Sequence, residues 1–318
     1  MRSFFIYLSK ANWARKIVMG LSLARRMSSR FVSGERLEDA IQAIRALNEK
    51  GINATLDHLG ENTDSPEQAR QATEDIVAAL DAIKASGVRA NVSIKLTQIG
   101  LALDPALCAE NIERILERAA QQDNYVRIDM EDSPVTQITL DLMRQARDKG
   151  YTNTGIVIQA YLYRSEEDIK KLASEGISVR LCKGAYKEPA TVAFPKKSDV
   201  DANYDKLASL LIDGAMAQGA PAANPDGKKP PLPGLATHDA QRVAFVKAYA
   251  EKVGLPKQGL EFQMLYGIRR DLQEQCAQEG YPVRVYVPYG TEWYPYYMRR
   301  LAERPANVWF FVSNFFRK

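Results

Sequence analysis

The sequence predicts an α/β protein built as a (β/α)8 barrel. Short β-rich runs that end in a polar or charged residue alternate with helical stretches, and about eight such runs occur along the chain. Eight units of about 25 to 55 residues each favour a closed barrel over an open doubly wound sheet. The first run continues as DHLGENTDSP, which is not a glycine-rich phosphate turn, and no G-x-G-x-x-G occurs in the chain. The open sheet is therefore the weaker alternative.

The strands and helices follow one another at regular spacing. The segment 219–233, GAPAANPDGKKPPLP, interrupts this spacing, and its composition predicts an exposed, poorly ordered connection before the sixth strand. Helix starts are marked by Ser65-Pro66, Asp104-Pro105, Asp132-Ser133-Pro134 and Ser165. The predicted strands are 52–59, 91–96, 125–130, 154–161, 178–185, 234–239, 260–265 and 283–290.

Two domains are predicted, a helical arm at residues 1–50 and a barrel at residues 51–318. In the arm, Lys10, Arg15 and Lys16 interrupt two short apolar runs, so no window reaches the ~18 uncharged apolar residues of a membrane span. An amphipathic helix fits this pattern. It either packs on the barrel or rests against a membrane surface, and both positions stay open.

Composition excludes several classes of function. The 43 Lys and Arg residues against 39 Asp and Glu residues give a net charge of only +4, so no nucleic-acid partner is predicted. Three scattered cysteines, Cys108, Cys182 and Cys276, indicate a reducing compartment. The two histidines, His58 and His238, do not form a metal-ligand spacing, so no metal site is predicted.

Polar residues end all eight predicted strands. In a barrel of this kind the reacting groups lie at the carboxyl ends of the strands. Solvent contact alone explains one polar strand end, but eight in succession predict a site. Lys95 and Asp129, opposite charges on neighbouring strand ends, predict an ion pair that is either structural or part of the site. The candidates are Glu61, Lys95, Asp129, Gln159, Arg180, Lys183, Thr237, His238, Gln263, Tyr286 and Tyr289.

A helix of about ten residues follows the last strand. Pro295 suits its first turn and Pro305 ends it at about Arg304. Two adjacent guanidiniums offer forked donors to a carboxylate or a phosphate. The alternative is an exposed helix end with its own ion pairs. The residues that share one face of this helix are Tyr296, Arg299, Arg300 and Glu303.

Six segments stand in order on the successive strands and the last helix: IKLTQIG, RIDMED, RLCKGAY, ATHD, EFQMLYG and YVPYGTEWYPYYMRRLAERPAN. Together they resemble the proline dehydrogenase family of flavoenzymes over roughly residues 50 to 312. The resemblance implies a distorted (β/α)8 TIM barrel with the last helix over the barrel mouth. It also implies FAD held without a covalent bond, in a site that does not need the glycine-rich turn.

The resemblance implies oxidation of L-proline to 1-pyrroline-5-carboxylate by hydride transfer to flavin N5, the first step of proline catabolism to glutamate. Electrons then pass to a membrane quinone. The bifunctional relatives carry an aldehyde dehydrogenase module, whereas this chain stops soon after the last helix, so a monofunctional enzyme is expected, with a separate pyrroline-5-carboxylate dehydrogenase as partner. A cytoplasmic location is expected, and peripheral attachment to the inner membrane through the arm or the final VWFFVSNFFRK stays open.

The resemblance also assigns roles to individual residues. The catalytic residues are Lys95, Asp129 and Arg180, of which Arg180 faces the flavin N5 edge. A gate over the empty site is formed by Glu61 with Arg299. The substrate-binding residues are Lys95, Asp129, Leu265, Tyr286, Tyr296, Arg299 and Arg300. The cofactor-binding residues are Gln159, Arg180, Lys183, Gly184, Ala185, Thr237, His238 and Glu303.

Two rival functions remain at this point. One is a Schiff-base or phosphate-handling barrel of the lyase or aldolase type, with Lys183 or Lys95 as nucleophile and the arginine pair on a phosphate. The other is a binding barrel without catalysis. The choice between proline and 4-hydroxyproline is also open, because one ring substituent changes discrimination by only a few kcal/mol.

Overall fold

The computed structural model describes residues 29–60 and 63–303, with side chains as far as Arg300. Eight parallel strands of this part close into a barrel in chain order, and β8 pairs with β1. The (β/α)8 prediction is confirmed. The strands are β1 (Asn53–His58), β2 (Ala90–Ile94), β3 (Val126–Ile128), β4 (Thr154–Gln159), β5 (Val179–Cys182), β6 (Pro233–Ala236), β7 (Glu261–Leu265) and β8 (Val283–Tyr289).

Nine α-helices lie within the described residues, and all but the first follow a strand. Two 3-10 turns, Ser133–Val135 and Lys257–Gly259, precede α4 and β7. The helices are α1 (Leu37–Glu49), α2 (Pro66–Ser86), α3 (Pro105–Gln121), α4 (Thr136–Asp148), α5 (Ser165–Ser174), α6 (Lys197–Ala217), α7 (Ala240–Val253), α8 (Arg270–Gln278) and α9 (Trp293–Glu303).

Alternate residues of each strand face two different environments. In β2, Ala90, Val92 and Ile94 belong to the apolar core between the strands and the helices. The residues between them, Asn91 and Ser93, form hydrogen bonds with inward-facing side chains of the neighbouring strands. This period of two follows from strand geometry. The interior of this barrel is therefore polar, whereas branched apolar side chains usually fill such barrels.

The sequence signals for two helix starts are confirmed. The hydroxyl of Ser65 accepts a hydrogen bond from the backbone N–H of Gln68 at 3.3 Å, and Pro66 is the first residue of α2. Asp104 caps α3 in the same way, through the N–H of Ala106 at 2.9 Å. Each cap satisfies a backbone donor that the first helical turn leaves without an intrahelical partner.

Replacing Ser65 by Ala is expected to lower the free energy of unfolding by about 1 kcal/mol, the usual cost of losing a side-chain N-cap. Denaturant unfolding monitored by circular dichroism measures the change. Ser174→Ala is the matched control, because Ser174 is exposed and its hydroxyl bonds only within its own helix end, to the Lys171 carbonyl. Equal stabilities for the two variants would show that the cap contributes nothing.

The start predicted at Asp132-Ser133-Pro134 is built differently. The side chain of Asp132 makes no capping hydrogen bond, and a 3-10 turn precedes α4. Glu188, from the loop after β5, instead accepts hydrogen bonds from the backbone N–H of Ser133 at 2.7 Å and from its hydroxyl at 2.5 Å. A cap supplied from about 55 residues away in the sequence is not visible in a local pattern.

The connection 219–233 differs from its prediction, because part of it is buried. The carbonyl of Gly227 accepts a hydrogen bond from Nη2 of Arg284 at 2.7 Å, and the carbonyl of Lys228 accepts one from Nδ2 of Asn91 at 2.8 Å. Both donors lie near the amino-terminal ends of their strands. Buried polar side chains need partners, and this loop supplies them across the amino-terminal mouth of the barrel.

The last helix, α9, lies over the carboxyl-terminal mouth, as the family resemblance implies. Its aromatic side chains pack with Leu59, Leu265 and Ile268, which stand at or just beyond strand ends. The outer position beside β8 and β1 is taken by α1, whose Ile41 and Ile44 belong to the main apolar core. The eighth helical position of the ring is thus covered by a helix that precedes the barrel in sequence.

No helix within the described ranges is long and apolar enough to cross a membrane. Residues 1–28, which make up most of the predicted arm, lie outside those ranges, as do Glu61 and the segment 304–318. The predictions that concern these residues, and the division into two domains at residue 50, stay predictions.

Candidate active site

Five ionisable side chains meet in the carboxyl-terminal half of the barrel. Asp57 belongs to β1, Arg180 to β5 and Tyr286 to β8, while Lys95 and Asp129 directly follow β2 and β3. None of the four charged residues is more than 9% exposed. The side chains meet because parallel strands present inward-facing residues at similar heights.

The ammonium group of Lys95 lies among two carboxylates and a phenol. Its Nζ is 3.0 Å from Oδ1 of Asp57, 3.4 Å from Oδ2 of Asp129 and 3.1 Å from the hydroxyl of Tyr286. The predicted Lys95–Asp129 ion pair is present. Asp57 is a closer partner that strand-end positions do not reveal, because it lies inside β1.

Asp129 is the most highly connected member of this group. Its Oδ1 accepts hydrogen bonds from Ser93 at 2.7 Å and Arg180 at 3.0 Å, and its Oδ2 accepts one from Tyr286 at 2.7 Å. Burial by itself raises the pKa of Asp129, but the charges of Lys95 and Arg180 outweigh it. With the hydrogen bonds, they hold this pKa below its usual range. Asp129 is therefore an ionised, hydrogen-bonded anchor.

Asp57 has a different environment, although it is equally buried. Burial raises its pKa above the usual range, and the nearby charge of Asp129 acts in the same direction, against the opposing effect of Lys95. Its Oδ2 has no hydrogen-bond partner among the described residues. The inward-facing series Asn53, Thr55, Asp57, read at a period of two, is the sequence signal that locates it.

Arg180 spans the barrel interior. Its Nε donates to Oε1 of Gln263 at 2.5 Å, and Nη2 donates to the hydroxyl of Thr55 at 3.3 Å. Its guanidinium also lies over the ring of Tyr286, 5.3 Å from the centroid. Gln263 in turn donates to Glu261, at 2.7 Å. These contacts come from several strands and fix the orientation of the guanidinium plane. A flexible surface arginine has no such fixed orientation.

Tyr286 is enclosed by the same charges. Burial, then the carboxylates of Asp129 and Asp57, raises its pKa well above the usual value, so the phenol stays protonated. Its hydroxyl donates to Asp129 and accepts from Lys95. The ammonium of Lys95 also lies 5.8 Å from the ring centroid. Tyr286 thus joins the carboxylate and the cation in one hydrogen-bonded chain.

The last helix contributes the second group of predicted substrate residues. Tyr296 is buried in the aromatic cluster of α9, and Leu265 packs against that cluster. The guanidinium of Arg300, 9% exposed, lies 5.1 Å from the centroid of the Tyr296 ring. Arg299 is half-buried on the same helix. The side chains of Glu303 and Glu61, the remaining predicted contact and gate residues, lie outside the described part.

Three predicted cofactor residues stand at the ends of β4 and β6. Gln159 is buried, and its Nε2 donates to the carbonyl of Glu131 at 2.7 Å. Thr237 accepts a hydrogen bond from the N–H of Asp239 at 3.1 Å. Nε2 of His238 accepts the N–H of Leu265 at 2.9 Å, so the proton of the neutral ring is on Nδ1. Each side chain is thus oriented by its neighbours.

Three more of the eight predicted cofactor residues directly follow β5. The ammonium of Lys183 is held by Asp201 at 2.5 Å and Asp239 at 2.9 Å. Gly184 has φ +115°, and a Cβ built on it would lie 2.4 Å from the ring of Tyr161. Only glycine fits here, because any side chain would clash with the Tyr161 ring and a positive φ is unfavourable for other residues. Ala185, the next residue, is exposed.

Comparison with known proteins identifies the family of this chain. The model of the family described as proline dehydrogenase matches residues 40–312. The chain belongs to the proline dehydrogenase family. Among its relatives, Proline dehydrogenase 2 of Bacillus subtilis (strain 168) is 41% identical over 318 residues, which are 100% of this chain and 99% of that protein. Proline dehydrogenase of Deinococcus radiodurans is 42% identical over 291 residues, 90% of this chain and 89% of the relative.

Solved structures of the family share the barrel. The crystal structure of proline utilization A (PutA) from Bdellovibrio bacteriovorus, inactivated by N-propargylglycine, superposes with a TM-score of 0.79 at 26% identity. The match covers 88% of this chain and 33% of that one, so this chain spans about a third of the length of that protein. The fold and family predicted from the sequence are confirmed, and the relatives support proline dehydrogenase activity.

Proposed function

We propose that this chain is a monofunctional, FAD-dependent proline dehydrogenase that oxidises L-proline to 1-pyrroline-5-carboxylate, the first step of proline catabolism to glutamate. Proline loses a hydride from the ring carbon next to nitrogen and a proton from nitrogen, and a C=N bond forms. FAD, when bound without a covalent link, supplies the hydride acceptor at N5. The main support is the buried cluster of Lys95, Asp129, Arg180 and Tyr286 in the carboxyl-terminal half of the barrel, whose mouth α9 covers.

The donors around the barrel mouth fit such a dinucleotide. Lys183 contributes a cation, and two of its three N–H donors are used by Asp201 and Asp239, which leaves one for a phosphate. His238 is oriented at the mouth by the hydrogen bond that its Nε2 accepts from the N–H of Leu265. The residues that hold the cofactor in this proposal are Gln159, Arg180, Lys183, Gly184, Ala185, Thr237, His238 and Glu303.

The substrate is held mainly by its carboxylate. Proline is small, and forked guanidiniums with one ammonium group anchor a single carboxylate strongly. In the proposal Arg299, Arg300 and Lys95 bind this group, and Asp129 orients Lys95. Arg299 additionally forms a gate with Glu61. The walls beside the ring are Tyr286, Tyr296 and Leu265.

The inhibitor in the similar crystal structure supports this substrate class. N-propargylglycine, which inactivated the PutA of that structure, is an amino acid with a secondary amine beside a carboxylate. In proline, too, a secondary amine and a carboxylate are attached to the same carbon atom. A pocket with several cations and one apolar wall suits both compounds.

The ion pairs of the two lysines weigh against the Schiff-base alternative. A lysine nucleophile must be neutral to attack a carbonyl. Lys95 contacts the carboxylates of Asp57 and Asp129, and Lys183 contacts those of Asp201 and Asp239. Each ammonium group is thus engaged by two carboxylates and is not presented to a carbonyl carbon.

Reduced flavin must pass its electrons on, and the proposal assigns them to a membrane quinone. The enzyme then works in the cytoplasm and meets quinone at the inner membrane surface. A separate pyrroline-5-carboxylate dehydrogenase consumes the product.

The visible spectrum of the purified protein tests this function. We expect a yellow protein that bleaches when L-proline is added without oxygen, and whose colour returns when a water-soluble quinone is then added. Succinate, which has carboxylates but no ring nitrogen, is the control and should leave the colour unchanged. A colourless protein that cannot be loaded with FAD, or a yellow one that proline does not bleach, would reject the proposal.

A further inference from the structure

Asp57 is a buried carboxylate to which the proposed mechanism gives no role. It is 0% exposed, and its Oδ1 lies 3.0 Å from Nζ of Lys95. This distance is shorter than the 3.4 Å between the same Nζ and Asp129. A buried charge is costly unless it is paired, so the partner of Asp57 indicates what this carboxylate does.

The two carboxylates that face Lys95 are used differently. Asp129 also accepts hydrogen bonds from Ser93, Arg180 and Tyr286. The hydrogen bond that Asp57 accepts at Oδ1 comes from Lys95, and its Oδ2 has no partner within the described ranges. The negative charge of Asp129 is therefore divided among several donors, whereas that of Asp57 is directed mainly at one ammonium group.

We propose that Asp57 is a positioning residue that holds the side chain of Lys95 in place and keeps it ionised, so that the pocket retains this positive charge for the substrate carboxylate as the pH rises. The inference rests on the proposed function, in which Lys95 binds that carboxylate. It deepens the proposal, because it identifies the group on which the third cation of the clamp depends.

The physical argument concerns the cost of burying an ammonium group. Desolvation disfavours the charged form of a buried lysine, and nearby carboxylates offset this cost. If Asp57 is made neutral, Lys95 loses the nearer of the two carboxylates that face it within the described ranges, and the other, Asp129, also pairs with Arg180. The ammonium then loses its proton more easily. In a neutral state Lys95 no longer attracts a carboxylate, so ligand affinity falls as pH rises.

The other groups facing this pair do not produce the same signature. From β8, Tyr286 has its pKa raised well above the ordinary value by burial, and burial also raises the pKa of Tyr289. Neither phenol ionises below about pH 9. Arginine side chains in general carry a fixed positive charge in proteins. Asp129 stays ionised, since its pKa is lowered.

The test measures binding of cyclopentanecarboxylate to the FAD-loaded protein by titration calorimetry at about pH 6.5 and about pH 9. This ligand has the ring and carboxylate of proline but no amine, so its own charge is constant over this range. For the unmodified protein we expect its affinity to change less than about threefold. For Asp57→Asn we expect it to fall at least about tenfold at the higher pH, since one pKa unit corresponds to a factor of ten.

A rescue variant separates positioning from general damage. In Asp57→Asn combined with Lys95→Arg, the guanidinium cannot lose its proton, so the fall in affinity with pH should disappear. If Asp57 contributed only to packing, Asp57→Asn would weaken binding equally at both pH values. Adding Lys95→Arg would then not restore the affinity. Asp168→Asn is the matched control, because Asp168 is also buried and paired, with Arg164, outside the barrel interior.

The inference is overturned if the affinity of Asp57→Asn has the same pH dependence as that of the unmodified protein. It is also overturned if the affinity of the double variant still falls as the pH rises. If Asp57→Asn does not accumulate as folded protein, Asp57→Ser removes the same charge and serves the same test. Failure of the proposed function has a separate signature: the unmodified protein, loaded with FAD, would then neither bind cyclopentanecarboxylate nor bleach with proline.

Discussion

Replacing Asp129 by Asn is expected to lower kcat/KM for proline at least about 100-fold, equivalent to roughly 2.7 kcal/mol. The carboxylate accepts hydrogen bonds from Ser93, Arg180 and Tyr286 and faces the ammonium of Lys95. The Asn side chain has the same shape but carries no negative charge. Its NH2 group is itself a donor, so it cannot accept the hydrogen bonds that the carboxylate accepts. Two buried cations then lose a shared counter-ion, and at least one donor loses its partner.

Stopped-flow reduction of the bound flavin by proline measures this effect without interference from the quinone step. Asp132→Asn is the matched control, because Asp132 is exposed, close in sequence and makes no capping hydrogen bond. We expect its kinetics to match those of the unmodified protein. Retention of more than about a tenth of kcat/KM by Asp129→Asn would show that the cluster tolerates the loss of its central charge.

The same variant has a predicted pH signature in stability. The pKa of Asp129 is lowered in the folded state, so its ionised form contributes stability that is fully present above the unfolded pKa of about 3.9. This contribution is lost as the pH falls through the folded pKa. Melting temperatures of the unmodified protein and Asp129→Asn should therefore differ most above about pH 5 and converge in stronger acid.

Replacing either Arg299 or Arg300 by Ala is expected to raise KM for proline at least about tenfold, with a smaller effect on kcat. Each variant removes a charge-assisted hydrogen bond worth about 1.5 to 3 kcal/mol from the substrate carboxylate. The Arg300 guanidinium is buried against the ring of Tyr296, 5.1 Å from its centroid, so it is held in place before the substrate arrives. Arg300→Lys keeps the charge but loses the fork, and an intermediate KM is expected.

Steady-state kinetics with proline and a water-soluble quinone provide the measurement. Arg270→Ala is the matched control, because the Arg270 guanidinium also lies over a tyrosine ring, that of Tyr266, at 5.9 Å, but is exposed at the start of α8. Its KM should be unchanged. If both alanine variants of the α9 pair have a KM within about threefold of the unmodified enzyme, the arginines do not bind the carboxylate.

Much of the fold was predictable because its signals are local. Strand runs, the N-caps at Ser65 and Asp104, and the helix of α9 all follow from neighbouring residues. The predicted strands extend past the observed ends where the chain turns into the mouth, as in 178–185 against β5, Val179–Cys182. The polar residues beyond the observed strand ends belong to loops, although the β-rich sequence pattern continues into these loops.

The candidate site was predicted in part. Lys95, Asp129, Arg180 and Tyr286 stand at or near strand ends, and barrel closure brings them together. Asp57 was missed, because a carboxylate inside a strand has no local signal except its alternation. Which partners an inward-facing residue meets depends on how the strands are staggered around the barrel.

The amino-acid order alone determined the eight β/α units, the polar ends of the strands and the paired arginines of the last helix, because these depend on periodicity and composition over a few residues. The tertiary structure alone decided that α1 lies beside β8 and β1, and that Asp57 pairs with Lys95. Those contacts join residues distant in the chain. They arise only when the closed barrel must satisfy its buried charges and cover its apolar surface.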